Sequence, residues 1–293
     1  MNHKSGFVNI IGNPNVGKST LMNSLVGDKL SIITSKAQTT RHRIMGIVNG
    51  PDFQIVYSDT PGILKPEYKL QENMLKYVSI ALQDADILIY VTDIYDSFEK
   101  NIQFFEKIQK LEIPVLLLIN KIDLSNEESI LQLEKDWQKV LPSSEIMAIS
   151  ALRVFNTESV FNRIIELLPE GPPYFPEDQL TDRSERFFVS EIIREKILLL
   201  YKQEIPYSVE VEVEHFIEEE EIIRTLAHIY VNRESQKAII IGQKGKALKN
   251  VGIQARKDME DFFGKKIFLE LYVKVKKDWK NDERQLKRWG YDH

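Results

Sequence analysis

The sequence predicts an α/β fold, with a mostly parallel sheet followed by a smaller α+β domain. Short apolar strands alternate with helices from FVNII at residue 7 to a helix that ends at Leu168, and this alternation is typical of a parallel sheet covered on both faces. A segment rich in proline and acidic residues follows and indicates a domain boundary. Beyond it, YSVEVEVEHF places Val209, Val211 and Val213 on one face and Glu210, Glu212 and Glu214 on the other, which is typical of a half-exposed strand.

The first half contains six predicted strands and five predicted helices. The turn at Asn49-Gly50-Pro51-Asp52 predicts a hairpin between the second and third strands. The strands are FVNII, IMGIVNG, FQIVYSD, DILIYV, PVLLLI and EIMAIS; the helices are STLMNSLV, 71–84, 98–110, 127–140 and one that ends at residue 168. Ligands of such sheets bind beyond the carboxyl ends of the strands, and the residues with distinctive chemistry cluster there.

Composition limits the remaining possibilities. The chain has 293 residues, is 43% hydrophobic and 28% charged, and carries a net charge of −5, values expected of a soluble protein with about two domains. We predict domains at 1–170 and 184–293 with a linker at 171–183. The absence of cysteine excludes disulfides and thiolate metal sites, and no signal peptide or membrane-length apolar run is present. We therefore expect a cytoplasmic protein.

A phosphate-binding pattern follows the first strand. Gly12 and Gly17 are separated by four residues and followed by Lys18 and Ser19, a spacing that lets backbone amides surround phosphate oxygens. Lys18 would contact the β and γ phosphates, and the Ser19 hydroxyl would bind Mg²⁺. A chance glycine-rich turn is the alternative, but the strand before it and the helix after it argue against that. The predicted nucleotide contacts are Gly12, Asn13, Pro14, Asn15, Val16, Gly17, Lys18, Ser19 and Thr20.

A second pattern indicates which base is bound. Asn120-Lys121-Ile122-Asp123 ends a buried strand, and an aspartate there can accept hydrogen bonds from N1 and the 2-amino group of guanine. Adenine would leave that carboxylate unpaired, which is a strong basis for discrimination. The alternative is that these residues only cap a turn. After the last strand of this half, AISAL offers Ser150, Ala151 and Leu152 to the base.

Two segments between these patterns have the features of nucleotide switches. YSDTPG ends a strand with Asp59, Thr60, Pro61 and Gly62, followed by Ile63. Asp59 would hold Mg²⁺ through water, and the Gly62 amide would sense the γ-phosphate. In SKAQTTRHR we choose Thr40 over Thr39 as the Mg²⁺ ligand because it directly precedes Arg41. The metal ligands are therefore predicted to be Ser19 and Thr40, and the residues that act in hydrolysis are Lys18, Thr40, Asp59 and Gly62.

In this order the motifs resemble those of translation-factor-class GTPases. The resemblance implies GTP and GDP binding, GTP hydrolysis, a Mg²⁺ cofactor and two switch segments, at 31–43 and 59–70. Ile63 stands where Ras-like enzymes carry a water-positioning glutamine, so we expect slow intrinsic hydrolysis. Some related GTPases with a hydrophobic residue there use a potassium ion, and the resemblance assigns this role to Asn15.

The second half carries a basic segment with a glycine loop. From Arg233 to His293 there are sixteen Lys and Arg against nine Asp and Glu, a net charge of +7. An excess of basic residues usually indicates only a surface that is exposed to solvent. However, Gly-x-x-Gly before a basic helix is typical of the KH domain, where it clamps single-stranded RNA. The predicted RNA contacts are Gly242, Gln243, Lys244, Gly245, Lys246 and Lys249, with the basic tail at 274–288 as a fallback. The β propensity of KAIII alone predicts a strand. The KH pattern predicts a helix instead, and we adopt the helix.

Together the two halves closely resemble the bacterial Era GTPases over essentially the whole chain. The resemblance implies a type II KH fold, α–β–β–α–α–β with an added helix, binding near the 3′ end of small-subunit ribosomal RNA, and a role in assembly of the small ribosomal subunit. We expect a monomer. The resemblance also implies peripheral association with the membrane, although the sequence shows no amphipathic or lipidation signal. Two alternatives remain: a signalling GTPase that uses its basic domain as a lipid or protein dock, and a passive RNA-binding module. The intact Lys18, Ser19 and Asp59 argue against the second.

Overall fold

The structure is a computed structural model that describes residues 3–291, without the side chains of residues 99, 100 and 103. The predicted domain limits at Met1 and His293 lie outside the described residues. No helix in the described range combines the length and the apolar composition that crossing a membrane requires.

The first half forms a six-stranded sheet in the order β2-β3-β1-β4-β5-β6. Only β2 is antiparallel to its neighbour, because it forms the predicted hairpin with β3; the other pairs are parallel. The strands are β1 (Lys4–Gly12), β2 (Ile44–Gly50), β3 (Phe53–Asp59), β4 (Ile87–Asp93), β5 (Val115–Asn120) and β6 (Glu145–Ala148). This topology confirms the predicted fold class for the first half.

Helices cover both faces of this sheet. Alternate side chains of one strand enter different cores: Ile10 packs with α1 and α5, whereas Ile11 packs with α2, α3 and α4. The central strands are therefore apolar at nearly every position, as expected of a buried parallel sheet. The helices are α1 (Lys18–Val26), α2 (Lys69–Gln83), α3 (Ile102–Ile108), α4 (Glu127–Val140) and α5 (Thr157–Leu167); a 3-10 turn at Phe98–Asn101 precedes α3.

The second half forms a three-stranded sheet in the order β7-β8-β9, with three helices packed on it. Strand β8 is antiparallel to β7 and parallel to β9. The elements are α6 (Glu185–Leu200), β7 (Val209–Glu218), β8 (Ile222–Val231), α7 (Glu234–Ile241), α8 (Lys246–Phe263), β9 (Lys266–Val275) and α9 (Glu283–Arg288). This is the predicted α–β–β–α–α–β order, with α9 as the added helix. KAIII lies in α7, where Ile240 is buried and Ile239 is exposed, so packing of one helix face overrides its β propensity.

The segment after α5 runs along the first sheet. The carbonyl oxygen of Pro169 accepts a hydrogen bond from the Ser5 amide, and that of Leu180 accepts one from the Ile47 amide. The side-chain amide of Gln54 also donates to the carbonyl oxygen of Phe175. These contacts fix the segment beside the hairpin and cover part of an edge strand, which would otherwise expose unpaired backbone groups.

One expectation about β7 is wrong. Alternation predicts that Glu210 faces solvent, but this residue is only 5% exposed. Its carboxylate accepts hydrogen bonds from Arg41 at 3.0 Å and from the Tyr291 hydroxyl at 2.9 Å. Because Arg41 belongs to the first half of the chain, the face of β7 around Glu210 is covered by the other domain rather than by water.

The C-terminal tail, residues 276–291, also contacts the first half. Trp279, Leu286 and Tyr291 form an apolar cluster with Leu70 and Met74 of α2. The apolar side of the basic tail is therefore used to join the two halves of the chain. This packing was not evident from the tail's charge, which had suggested an RNA surface.

Candidate nucleotide site and glycine loop

Two glycines shape the loop between β1 and α1. Gly12 has a φ of 146°, and a Cβ on it would lie 2.1 Å from the carbonyl oxygen of Val91. Gly17 has a φ of 99°, and a Cβ there would lie 2.2 Å from Nδ2 of Asn120. Helix α1 begins at Lys18, so its unpaired amides and the positive end of its dipole point toward the loop. This arrangement is suited to binding phosphate.

Lys18 supplies a buried positive charge to the loop. Its Nζ donates hydrogen bonds to the carbonyl oxygens of Gly12 and Asn13, at 3.1 and 2.9 Å. Burial lowers its pKa to about 8, and the charges of Asp59 and Asp96 oppose that shift. The ammonium group therefore remains mostly protonated at neutral pH, and a phosphate nearby would favour the protonated form further.

Ser19, Thr40 and Asp59 meet beside this lysine. The Ser19 hydroxyl donates to Oδ2 of Asp59 at 2.6 Å and lies 2.8 Å from the Thr40 hydroxyl. Thr40 also donates to Oδ2 of Asp59, at 3.2 Å. Thr39 points elsewhere, because its hydroxyl donates to the carbonyl oxygen of Lys36 at 2.6 Å. The structure thus brings Thr40, and not Thr39, to Ser19 and Asp59.

The carboxylate of Asp59 is incompletely paired. Its Oδ1 is buried and has no hydrogen-bond partner among the described residues. Burial raises the pKa of Asp59, while the charge of Lys18 and the surrounding hydroxyls act to lower it. A buried carboxylate oxygen without a partner is costly, so a cation or its bound water would stabilise this arrangement.

The end of β5 connects the phosphate loop to the loop after β6. Nδ2 of Asn120 donates to the carbonyl oxygen of Val16 at 2.8 Å, and its Oδ1 accepts from the Ala151 amide at 2.9 Å. Nζ of Lys121 donates to the carbonyl oxygen of Asn15 at 2.7 Å. Asn120 and Lys121 therefore join the phosphate loop and the loop after β6, which explains why polar residues end this buried strand.

Asp123 lies at the far end of the same site. Its Oδ1 accepts a hydrogen bond from the Ser150 hydroxyl at 2.6 Å, and its Oδ2 lies 4.0 Å from Nε of Arg153. Ser150 fixes one side of the carboxylate, and Asp123 lines the cavity described below. This geometry suits an acceptor for the two N–H groups of a guanine edge.

The segment after β3 contacts the phosphate loop from the other side. The Thr60 hydroxyl donates to the carbonyl oxygen of Ile10 at 2.8 Å. A Cβ on Gly62 would lie 2.7 Å from the Pro14 ring, so the two loops touch where only glycine fits. Ile63 packs at the edge of the apolar core formed by α2, α3 and α4, and its side chain offers no group that could orient a water molecule.

A cavity of about 550 Å³ extends from the phosphate loop and the first switch segment to Asp123. The predicted residues that line it are Pro14, Asn15, Gly17, Lys18, Ser19, Thr20, Thr40, Gly62, Asn120, Lys121, Asp123, Ser150 and Leu152. The predicted residues outside this lining are Gly12, Asn13, Val16, Asp59, Thr60, Pro61, Ile63, Ile122 and Ala151. The lining also includes residues that sequence reasoning did not assign to the site, namely Ile32, Ile33, Thr34, Ser35, Lys36, Gln38, Thr39, Tyr95, Leu124 and Arg153. Most of these belong to the first switch segment, so position in that segment was the available signal.

The glycine loop of the second half joins α7 to α8. Gly242 has a φ of 70° and Gly245 a φ of 75°. A Cβ on Gly242 would lie 2.6 Å from the Cβ of Ala247, whereas a Cβ on Gly245 would meet open space. Lys244 also adopts a left-handed conformation, with a φ of 52°. The loop is therefore sharply folded, and its open side is available for the close approach of a backbone phosphate.

A groove of about 390 Å³ begins at this loop and runs between α8 and β9. Predicted residues Gly245 and Lys249 line it, and sequence reasoning missed the other lining residues, which are Leu248, Gly252, Ile253, Arg256, Leu269 and Leu271. Arg256 lies seven residues after Lys249 on α8, so the two cations lie on the same face of that helix. The groove thus combines apolar side chains with two positive charges.

Comparison with protein families gives one match in each half. A family described as 50S ribosome-binding GTPase matches residues 7–121, and the KH domain family matches residues 204–280. Full-length relatives extend these matches. The GTPase Era of Staphylococcus haemolyticus is 44% identical over 291 residues, covering 99% of this chain and 97% of that protein. The GTPase Era of Alkaliphilus oremlandii is 45% identical over 295 residues, covering 100% of both.

Solved structures lead to the same family. Era in complex with MgGDPNP and nucleotides 1506–1542 of 16S ribosomal RNA aligns with a TM-score of 0.94 at 38% identity, covering 99% of this chain and 100% of that chain. A variant of Aquifex aeolicus Era bound to GDP and AlF4⁻ aligns with a TM-score of 0.95, also at 38% identity and with the same coverage. Given this agreement and the phosphate loop described above, the chain belongs to the Era family of GTPases and is an enzyme that binds and hydrolyses GTP.

Proposed function

We propose that this GTPase binds small-subunit ribosomal RNA near its 3′ end and assists assembly of the small ribosomal subunit. One observation carries the proposal: this chain has a nucleotide cavity and a glycine-loop groove, and an Era structure that aligns with 99% of it was solved with MgGDPNP and nucleotides 1506–1542 of 16S ribosomal RNA. The domain division at 171–183 belongs to the same proposal, and the two family matches lie on opposite sides of it.

The groove has the chemistry that single-stranded RNA requires. In KH domains a Gly-x-x-Gly loop clamps the backbone of about four nucleotides. Here the loop leads into the N-terminus of α8, whose 18 residues end at Phe263, and a helix N-terminus favours phosphate. Leu248 and Ile253 offer apolar surface for bases, while Lys249 and Arg256 supply positive charge.

Replacing Gln243 and Lys244 together by Asp is expected to weaken RNA binding about 100-fold and to reduce its salt dependence, because acidic groups at the loop repel phosphates and fewer counterions are released. GTP affinity should be unchanged. Lys244 is left-handed, with a φ of 52°, a conformation that aspartate tolerates. The measurement is affinity for a short 3′-terminal RNA at several salt concentrations.

The matched control replaces Gln138 and Lys139 by Asp. These neighbours lie exposed on α4, and the substitution changes the net charge by the same amount far from the groove. Equal losses of RNA affinity in the two variants would show that RNA binding depends on the net charge of the protein and not on the glycine loop. A folded loop variant with the affinity and salt slope of the unchanged protein would contradict the RNA assignment, and equal binding to anionic vesicles would favour the lipid-dock alternative.

The residues around Asp59 also fit a magnesium ion. Mg²⁺ prefers oxygen ligands and keeps several waters, and the buried, unpaired Oδ1 of Asp59 could accept a hydrogen bond from such a water. The hydroxyls of Ser19 and Thr40, which both lie within hydrogen-bond distance of Oδ2 of Asp59, would bind the ion. When bound, the ion would neutralise charge on the β and γ phosphates. Potassium near Asn15 stays a prediction from the family resemblance.

Thr40→Ala is expected to lower GTP hydrolysis about 30-fold, while GDP affinity changes little, because a switch threonine contacts the ion only when the γ-phosphate is present. Thr39→Ala is the matched control, since the Thr39 hydroxyl contacts the carbonyl oxygen of Lys36 instead. Single-turnover hydrolysis and fluorescent-nucleotide titration measure the two quantities. A larger loss of hydrolysis with Thr39→Ala than with Thr40→Ala would reverse the metal assignment.

A further inference from the structure

The first switch segment is held by α6 of the second domain. Arg194 of α6, which is 1% exposed, donates from Nη2 to the carbonyl oxygen of Thr39 and from Nη1 to that of Gln38 at 3.4 Å. Nearby, Nζ of Lys36 donates to the carbonyl oxygens of Leu198 and Tyr201. These carbonyls lie at the C-terminal end of α6, where a helix favours a cation.

Arg194 is itself fixed before it reaches the switch. Its Nε donates to Oε1 of Glu191 at 2.7 Å, and its Nη2 donates to Oε2 at 2.5 Å. Both residues are buried on α6, three positions apart. A bidentate pair of this kind leaves the guanidinium plane little freedom, so its remaining N–H groups have a defined direction toward the switch backbone.

The backbone that Arg194 holds is in an uncommon conformation. Gln38 has a φ of 57°, which non-glycine residues adopt rarely and which persists where the surroundings hold it. The Gln38 side chain is held as well, because the Tyr68 hydroxyl donates to its Oε1 at 3.0 Å. Gln38 is thus fixed by α6 through its carbonyl group and by the second switch segment through its side chain.

Thr40 lies between two contacts with the second domain. On one side the carbonyl group of Thr39 is bound by Arg194. On the other side Arg41, fully buried, inserts its side chain into the second domain, where Nη1 donates to the carbonyl oxygen of Val209 at 2.7 Å. The position of the Thr40 hydroxyl beside Ser19 therefore depends on residues outside the nucleotide-binding domain.

We propose that Arg194 is a positioning residue for GTP hydrolysis: it holds the carbonyl groups of Gln38 and Thr39 from the RNA-binding domain and thereby places the Thr40 hydroxyl at the metal site. The inference rests on the proposed role of Thr40. It places a requirement of the reaction in the second domain, so that the first domain alone does not hold its first switch segment in the reactive position.

The test uses the full-length protein with Arg194→Met and Glu191→Gln combined. Removing both partners avoids leaving an unpaired buried charge, which would destabilise the fold. We expect kcat to fall about tenfold, whereas KM for GTP and affinity for fluorescent GDP should stay within about twofold. Arg194 acts through Thr40, and Thr40 is needed for hydrolysis rather than for GDP binding. Trypsin should also cleave faster after Lys36 in the complex with a non-hydrolysable GTP analogue.

Two further variants keep the test decisive. Tyr77→Phe removes the interdomain hydrogen bond from the Tyr77 hydroxyl to the carbonyl oxygen of Gly290, 2.9 Å long, but keeps the ring, whose centroid lies 6.3 Å from that of His42 in the first switch segment. This variant should leave kcat within about twofold. Arg194→Lys keeps the charge but loses the planar fork, and should give a several-fold loss of kcat. If the double variant fails to fold, Arg194→Lys decides the question.

A folded double variant with unchanged kcat and unchanged trypsin cleavage would overturn this inference. If Thr40→Ala still showed the expected loss of hydrolysis, the proposed metal site would stand. An equal loss with Tyr77→Phe would also overturn the inference, because general loosening of the domains would then explain the effect. If Thr40→Ala itself left hydrolysis unchanged, the proposed metal site would fall together with the inference.

Discussion

Lys18→Ala is expected to weaken GTP binding by about 100-fold or more and to reduce hydrolysis below detection. Nζ of Lys18 now contacts two loop carbonyl oxygens, at 3.1 and 2.9 Å, and is placed for phosphate oxygens. Removing one partner of a buried charge-assisted contact typically costs about 2–5 kcal/mol, and about 2.7 kcal/mol already corresponds to 100-fold in affinity. Equilibrium titration with fluorescent GTP and GDP, followed by a phosphate-release assay, measures both effects.

The control for this variant is Lys139→Ala, which removes a lysine from the exposed surface of α4 and should leave both assays unchanged. RNA affinity of the Lys18→Ala protein without nucleotide should also be unchanged, since the glycine loop has a separate core. Near-normal hydrolysis would remove Lys18 from the phosphate site. Loss of RNA affinity without nucleotide would show that the phosphate loop affects the second domain directly.

Asp123→Asn is expected to change which base is bound. The carboxylate accepts from N1 and the 2-amino group of guanine, whereas an amide can donate to the 2-oxygen of xanthine. Mispaired buried polar groups can discriminate by about 10⁴, so GTP affinity should fall at least 100-fold and XTP should become the preferred nucleotide. Competition between GTP, XTP and ATP measures this preference.

A matched control is Asp136→Asn, the same substitution at a position on α4 where, among the described residues, the carboxylate accepts hydrogen bonds from Gln132 and Lys139. That variant should keep the guanine preference. If Asp123→Asn also kept it, the carboxylate would not be part of the base site. The hydrogen bond from the Ser150 hydroxyl at 2.6 Å would then serve only to fix the loop after β6.

Local patterns in the sequence were sufficient to predict most elements of the fold. The strand, turn and helix around Gly12 and Lys18 follow from apolar periodicity and glycine spacing, which are properties of a few neighbouring residues. The helix at KAIII is different, because its β-branched residues favour a strand. Only the packing of Ile240 against the second core makes it a helix, and the KH pattern was needed to predict that.

Contacts between the two domains were not predictable in this way. Alternation in β7 shows which residues share a face of the strand, but it cannot show whether water or another domain covers that face. Glu210 was assigned to solvent on this basis, although Arg41 and Tyr291 bind its carboxylate. These partners lie more than eighty positions away in opposite directions along the chain, and a single sequence carries no signal that pairs them.

The same limit applies to the first switch segment. Its boundaries at 31–43 followed from the family resemblance, and Thr40 was chosen from its position beside Arg41. Arg194 of α6 holds this segment, and Lys36 within the segment contacts the end of α6. In the sequence these two residues look like an ordinary helical charge and an ordinary surface charge. Their partners are backbone carbonyl groups, which every residue possesses, so residue type gave no indication of these contacts.

RNA binding through the glycine loop is tested most directly by crosslinking the protein to RNA in cells and sequencing the bound RNA, for the unchanged protein and for the Gln243→Asp, Lys244→Asp variant. A parallel sample is crosslinked in cell extract supplied with GTP or with GDP. We expect crosslinks to concentrate near the 3′ end of small-subunit ribosomal RNA and to be lost in the variant, which still binds GTP. Crosslinks dispersed over many RNAs, or a 3′-end signal that persists in the variant, would contradict this expectation.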